Sequence, residues 1–374
     1  MDATRPPVDR TPRTQFWAGK RYSKAHRTNW QSQPVKTSRQ GRLAFCVNSK
    51  PTDTMSTPLD PEAFEPVRDC WYLTGATASG KTSVGIELAK QLDAEIISLD
   101  SMSVYREMDI GTAKPTTDEL AAVPHHLIDL VAPTEEYSLS QFMRDAHRCI
   151  EEIRERGREV LFVGGTPLYL KSLLRGVYPG PPADWAFRQQ IEAELQDVGM
   201  EALHERLKQV DPLSAAKLHP HDKRRIIRAL EVYKQTGRPL SHEQIHFDEV
   251  PNAACKAFVL SWPRPAIHQR IERRVESMFE RGLIAEVQGL LARYGQLGRT
   301  AGQAVGYREV ITHLESGKAV DMVVEQVKTR TRQFARRQET WFRSLDECER
   351  VEMIAERTAA HTAEKILTLA GKLP

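Results

Sequence analysis

Gly75, Gly80, Lys81 and Thr82 in "GATASGKT" have the types and spacing to hold a polyphosphate, fitting G-x-x-x-x-G-K-[ST] in full. Ala76, Thr77, Ala78 and Ser79 complete a loop whose backbone N–H groups can curl around an anion. The following helix adds the partial positive charge of its N-terminus. Lys81 reaches the terminal phosphate, and the Thr82 hydroxyl can ligate Mg2+. By motif the loop would bind a nucleotide such as ATP. An enzyme that hydrolyses one should also have an apolar strand ending in an Asp that holds the metal. The best candidate strand, in "EVLFVGGTPLY", runs instead into Gly164, Gly165 and Thr166. The acid stands elsewhere, at Asp100 in "IISLDSMSVYREMDIGTAKP".

In open α/β sheets ligands bind beyond the carboxyl ends of the strands, so Asp100 and Thr166 are expected to face the phosphate loop. Asp100 could instead cap a helix, since Ser-Met-Ser-Val follows it, and Thr166 could be a turn residue. Three basic tracts are candidates for phosphate-backbone contacts. "HPHDKRRIIRALEVYKQTG" (219–237) places Lys223, Arg224, Arg225 and Arg228 within two helical turns. "PRPAIHQRIERRVESMF" (263–279) has Ile267, Ile271, Val275 and Met278 as a buried stripe, with Arg270 and Arg274 on another face. "VKTRTRQFARRQETWFR" (327–343) carries six basic residues against one acid, with Val327, Thr331, Phe334 and Trp341 as its expected packing stripe. Solvated charged faces would explain the same tracts without a ligand. The paired histidines, His125–His126 and His219/His221, make no convincing metal site.

The elements that must position these residues read as an α/β sheet. "CWYLTG", "AEIISLD" (94–100) and "REVLFVGG" (158–165) are short strands, with helices at Ser83–Leu92 and Leu139–Arg156. The alternation implies parallel βαβ units, a P-loop NTPase-like sheet flanked by helices. "VYPGPPAD" (177–184) breaks the pattern, and Trp185–Gly237 reads as an all-helical insertion. "KAFVLSW" (256–262) returns as a strand, and everything after it reads as helical. The expected organisation is a disordered basic extension (1–66), a first core segment (67–178), the insertion (179–252), a second core segment with RNA-binding helices (253–350) and a tail (351–374).

At 374 residues the chain is long enough for two domains or one core with an insertion. The net charge of +3 hides an asymmetry: residues 1–54 hold eleven Lys/Arg and three Asp/Glu, leaving 42 against 47 in the rest. The overall basic balance is therefore no evidence that the folded part binds nucleic acid; local patches must make that case. The extension could be an RNA-touching arm, an organelle-targeting segment, or the product of an upstream start, because Met55 opens a short lead into the first strand. Five scattered cysteines argue against a disulfide framework and for a reducing, cytoplasmic setting, and no apolar run is long enough to span a membrane.

With these pieces in place the sequence resembles a bacterial tRNA dimethylallyltransferase, from about Trp71 to Arg343. The matches run in order: "GATASGKT", "IISLDSMSVYREMDIGTAKP", "HHLIDL", "FVGGTPLYLKSLLRG", "HPHDKRRIIRALEVY", "HQRIERRV", "QAVGYRE" and "RTRQFARRQETWFR". The resemblance implies that the loop grips dimethylallyl diphosphate rather than ATP, and that the prenyl group goes to N6 of the adenosine following the anticodon. Asp100 would correspond to the general base and Thr166 to a residue positioning the target nucleotide. Lys81, Arg274 and Mg2+ near Thr82 would hold the departing diphosphate. The tRNA-contacting segments would correspond to Asp100, Ser101, Met102 and Ser103; Arg188; Arg224, Arg225 and Arg228; Gln303, Gly306, Tyr307 and Arg308; and Arg336, Arg337, Gln338, Trp341 and Arg343. The insertion would grip the anticodon stem, and the working form would be a monomer. Ala76, Ser103, Glu107 and Pro167 depart from the usual Pro, Gln, Gly and Gly, and Ser103 puts a contact to the base in doubt. Rival readings are a small-molecule P-loop kinase, an adenylate isopentenyltransferase acting on free nucleotides, and a non-catalytic RNA-binding module.

Overall fold

The computed structural model describes residues 63–244, 247, 255–317 and 319–371; the expected basic extension lies outside them through residue 62. Strand β1 (Trp71–Gly75) runs into the glycine loop and helix α1 (Lys81–Leu92), and β2 (Ala94–Ser98) follows. A long loop leads to the short α2 (Thr117–Ala122) and the two-residue β3 (His125–His126). Helix α3 (Leu139–Glu155), opened by a Ser138–Gln141 capping box, precedes β4 (Glu159–Gly164) and α4 (Pro167–Arg175). Four helices come next: α5 (Trp185–Val210), α6 (Pro212–Lys217), α7 (Lys223–Thr236) and α8 (Leu240–Glu243). The chain returns as β5 (Lys256–Ser261) and continues through α9 (Arg264–Glu280), α10 (Leu283–Tyr294), α11 (Tyr307–Ser316) and α12 (Val320–Arg343). Strand β6 (Glu349–Glu352) and α13 (Ala359–Ala370) complete it.

Among the described residues the strands form one sheet in the order β3-β2-β4-β1-β5-β6, and every neighbouring pair is parallel. Side chains alternate across it, as the two-residue period of a strand requires. Trp71, Leu73, Ile96, Leu161 and Phe258 pack with α1 and α13 on one face. Tyr72, Ile97, Phe162 and Val259 pack on the other with α3, α4, α9 and α12. Being covered on both faces explains why the central strands read as apolar runs. The insertion carries its own core, built on Phe187, Ile191, Leu203, Leu207, Ile226 and Leu230. No helix among the described residues is long and apolar enough to cross a membrane.

Three elements differ from the sequence expectation. β3 spans two residues, too short to carry a periodic signal. β6, "ERVE", lies in a stretch read as helical and buries only Val351. The stripe of α12 is also shifted: Val323, Val327, Thr331, Ala335, Gln338 and Phe342 are buried, whereas Phe334 is exposed and Trp341 half-buried. Phe334 and Trp341 instead line the cleft described next.

Candidate active site

A cleft of about 2540 Å³ opens at the carboxyl ends of β1, β2 and β4 and reaches into the insertion. Its floor is the phosphate loop. Gly75, at φ 150°, ends β1 so close to β5 that a Cβ would lie 2.7 Å from the Leu260 carbonyl oxygen. Gly80, at φ 92°, precedes α1, whose N-terminus carries no side-chain cap. The first N–H groups of a helix have no intrahelical acceptor, and Gly80, Lys81, Thr82 and Ser83 all line the cleft. This is an anion cradle. It is braced from α9 and the turn before it: Arg270 Nε donates to the Ala78 carbonyl at 2.7 Å, and Trp262 Nε1 to that of Ser79 at 2.9 Å. The Arg270 guanidinium also lies over the Trp262 ring, 4.6 Å from its centroid.

Lys81, Arg274 and Asp100 share one electrostatic neighbourhood. Burial, and after it the nearby Arg274 charge, lower the Lys81 pKa to about 7 against the opposing pull of Asp100. Burial likewise disfavours the Arg274 charge, and Asp100 again favours it. Two half-buried cations beside one carboxylate are a site short of negative charge, as a diphosphate receptor should be. Lys81 Nζ meanwhile donates to the Ala76 carbonyl at 2.9 Å.

Asp100 follows β2, and no helix follows Asp100. Its Oδ1 accepts from Met102 N at 2.8 Å, a local turn bond in place of a helix cap. Thr166 stands at the matching end of β4, its N–H donating to the Leu99 carbonyl at 3.1 Å. Its hydroxyl accepts from Ser101 N at 3.0 Å. Asp100 and Thr166 are thus held together across the ends of adjacent strands, facing the loop. Gly164 leaves the room: a Cβ there would strike the backbone of Leu99.

The other expected residues divide in two. Ser101, Met102, Arg224, Arg225, Gln303, Arg337 and Trp341 line the cleft, and Arg336 and Arg343 are exposed on α12 outside it. A second set makes contacts within the protein, although Ser103, Arg188, Arg228 and Gln338 among them also line the cleft. Ser103 is buried, bonded to Ser98 Oγ at 2.7 Å and to the Asp100 carbonyl at 3.2 Å. Arg188 makes a two-pronged contact with buried Glu231, at 2.7 and 2.8 Å. Arg228 reaches the same carboxylate at 2.5 Å and the carbonyls of Pro179 and Pro181. Tyr307 is fully buried, its hydroxyl donating to Glu286 at 2.5 Å. Gly306 N and Arg308 both bond Glu309. Gln338 is buried and bonds backbone on both sides. Ser103, Tyr307 and Gln338 are buried, whereas Arg188, Arg228 and Arg308 are partly exposed and hold their carboxylate partners from the surface.

Three residues at the site were given no role there by the sequence. Arg270 was visible as the i,i+4 partner of Arg274. Phe334 was assigned to the packing stripe. Lys114, in "GTAKP", is nearly buried; it donates to the Tyr105 carbonyl at 2.6 Å and to Asp109 at 2.7 Å, and pairs with Asp129. It ties down the loop that follows Asp100, and nothing in its spacing marked it. No group of three His, Cys, Asp or Glu among the described residues could hold a metal ion. His126 instead bonds Glu95 at 2.6 Å, where Arg156 and His126 together hold the carboxyl down to a pKa of about 2.

The chain is similar to known proteins. The pattern describing the IPP transferase family matches residues 103–345. A tRNA dimethylallyltransferase of Rhodopirellula baltica is 52% identical over 304 residues, 79% of this chain and 90% of that protein. One of Geobacter metallireducens is 44% identical over 271 residues, 72% of this chain and 87% of the relative. The crystal structure of full-length tRNA isopentenylpyrophosphate transferase from Bacillus halodurans superposes with a TM-score of 0.60 at 38% identity, over 82% of this chain and 96% of that one. A eukaryotic dimethylallyltransferase captured acting on tRNA superposes with a TM-score of 0.67 at 27% identity, over 82% and 80% of the two chains. The chain belongs to the IPP transferase family, the tRNA dimethylallyltransferases.

Proposed function

We propose that this protein transfers the dimethylallyl group of dimethylallyl diphosphate to N6 of the adenosine following the anticodon of tRNA. The observation that carries the reading is the convergence of an anion cradle, two half-buried cations and a carboxylate at neighbouring strand ends. Adenine N6 is a weak nucleophile, because its lone pair is delocalised into the ring. Breaking the allylic C–O bond builds negative charge on the departing diphosphate while the prenyl carbon gains cationic character. The reaction therefore needs an anion clamp at the leaving group and a base at the amine.

The loop N–H groups, Lys81 and Arg274 would receive the diphosphate. As the N6–C bond forms and the C–O bond breaks, Asp100 would accept the N6 proton, with the Thr166 hydroxyl beside it orienting the base. Val275 and Met278 on α9 and Val327 and Phe334 on α12 line the same cleft and offer apolar surface to the prenyl group. Mg2+ suits the site, since a hard ion that keeps several waters needs few protein oxygens besides those of the diphosphate, and the Thr82 hydroxyl lines the cleft there. Bound so, it would neutralise leaving-group charge.

An adenine within a stacked loop is out of reach of a cleft, so it must be swung out of its stack. Arg224 and Arg225 on the insertion and Arg337 on α12 would grip the flanking phosphates. A small-molecule kinase would leave these lining residues without a task, and a free-nucleotide prenyltransferase would not need the insertion. The test is incubation of labelled dimethylallyl diphosphate with an unmodified anticodon hairpin. Label on the RNA supports the reading; splitting of a nucleoside triphosphate with unlabelled RNA overturns it, and label on free AMP in preference to RNA assigns it to the nucleotide enzymes.

A further inference from the structure

Gln338 stands in the middle of the basic stretch of α12, yet it is only 4% exposed. Its Nε2 donates to the Gly165 carbonyl at 2.6 Å, and its Oε1 accepts from Thr77 N at 2.9 Å. A carbonyl can only accept and a backbone N–H can only donate, so these two partners fix which end of the amide points where. One partner lies in the phosphate loop; the other directly precedes Thr166. A Cβ on Gly165 would fall 2.8 Å from Gln338 Nε2 and 3.4 Å from Lys81 Nζ, so the residue at this point is squeezed between the amide and the cation. On either side of Gln338 along α12, Phe334, Arg337 and Trp341 line the cleft.

We infer that Gln338 is a positioning residue that sets the register between the diphosphate loop and the Thr166–Asp100 end of the site, and so couples RNA docking on α12 to the grip on the diphosphate. The inference rests on the transferase reading. An RNA that loads α12 shifts one helix, and the amide passes that shift to the loop N–H and to the strand end bearing Thr166. Neither contact needs a charge. A glutamate of the same shape would accept from Thr77 N but lose the donor to Gly165, and would set a carboxylate against a carbonyl beside the anion site.

The coupling is measured with inorganic diphosphate, titrated with and without a saturating unmodified hairpin. The wild type should bind it at least about fivefold tighter with the hairpin present. In Gln338→Met and Gln338→Glu that enhancement should vanish, and kcat should drop on the order of 10²-fold, the effect of a displaced reacting group. Hairpin affinity and the melting temperature should stay close to wild type. Should both variants fail to fold, Gly165→Ala, which presses on the same amide from the other side, should show the same loss of coupling. A Gln338→Met that loses hairpin affinity in parallel with turnover while retaining the coupling makes the residue an RNA contact and overturns the inference. So does a wild type without coupling, or a variant with normal coupling and kcat. A wild type that never prenylates RNA defeats the transferase reading instead, and is seen in the same assay before any variant is made.

Discussion

A Cβ on Gly111 would lie 2.8 Å from Cζ of Tyr307, inside the volume of its ring. The two residues come from distant motifs, "DIGTAKP" and "GYRE", which the fold brings into contact. Glu286 accepts from the Tyr307 hydroxyl at 2.5 Å and from the backbone N–H groups of Ile110 at 2.8 Å and Asp109 at 3.1 Å. Helices α10 and α11 thus clamp the loop that begins at Asp100. Its carbonyl at Thr112 lies 3.5 Å from Arg274 Nη2.

Gly111→Ala should therefore act on the site from a distance. Displacing the Tyr307 ring should cost about 1–3 kcal/mol, as overpacking of a filled core does, read by denaturant unfolding. Prenyl transfer should fall with it, because Thr112 and the loop beyond Asp100 move. A variant with wild-type stability and turnover would show that the loop is not held by this contact.

Asp100→Asn keeps the shape of the turn, since the amide oxygen can still accept from Met102 N, but removes the proposed base. Turnover should fall about 10²–10⁴-fold, the usual worth of a positioned proton acceptor, while hairpin affinity remains near wild type. An equal loss in hairpin affinity would move Asp100 from chemistry to RNA binding.

Lys81 gives the site a pH dependence with a definite sign. Its pKa is lowered to about 7 by burial and by Arg274, so above neutrality the empty site holds mainly the neutral amine. A bound diphosphate favours the charged form and raises that pKa, so binding takes up a proton. Affinity for inorganic diphosphate should weaken as pH rises above 7, by up to about tenfold per unit for one proton. Calorimetry in buffers of different ionisation enthalpy should detect the uptake, and Lys81→Met should abolish it along with most of the affinity. Uptake that persists in Lys81→Met would assign the proton elsewhere.

Much of this was readable from residue types, and the reason is local. The phosphate loop announces itself because backbone conformation and residue identity are tied there: Gly75 and Gly80 occupy positive φ, and Lys81 and Thr82 start the helix. The central strands were legible because burial on both faces makes them continuous apolar runs. β6 was not, because an edge strand with one buried residue has no period to detect. The arginines divided on grounds no single sequence displays. Arg224 and Arg228 are both basic and share a helix face, but only Arg228 meets a buried carboxylate, supplied by its own helix and shared with Arg188 from α5. Phe334 was misassigned for a related reason, since the inner and cleft-facing stripes of α12 differ by one residue position.

Arg336 and Arg337 are exposed on α12. If both meet RNA phosphates, Arg336→Ala with Arg337→Ala should weaken hairpin binding and reduce the slope of log K against log salt by about 1–2, one condensed ion per lost contact. Diphosphate affinity without RNA should be unaffected. An unchanged salt slope would place the RNA on another face of the protein.

Glu231 separates the arginines that pair with it from those proposed to grip RNA. It is fully buried; burial alone would raise its pKa, but the bonds from Arg188 and Arg228 outweigh that and hold it low. Removing one partner of a buried ion cluster leaves uncompensated charge, so Glu231→Ala should destabilise the insertion by about 3–5 kcal/mol. Arg224→Ala with Arg225→Ala, both exposed on the cleft side, should leave stability almost unchanged while weakening hairpin binding in a salt-dependent way. Unfolding curves and hairpin titrations on the same samples distinguish the outcomes. If Glu231→Ala were stable and merely bound RNA more tightly, Arg188 and Arg228 would be RNA contacts restrained by the carboxylate, and their assignment to the insertion's framework would be wrong.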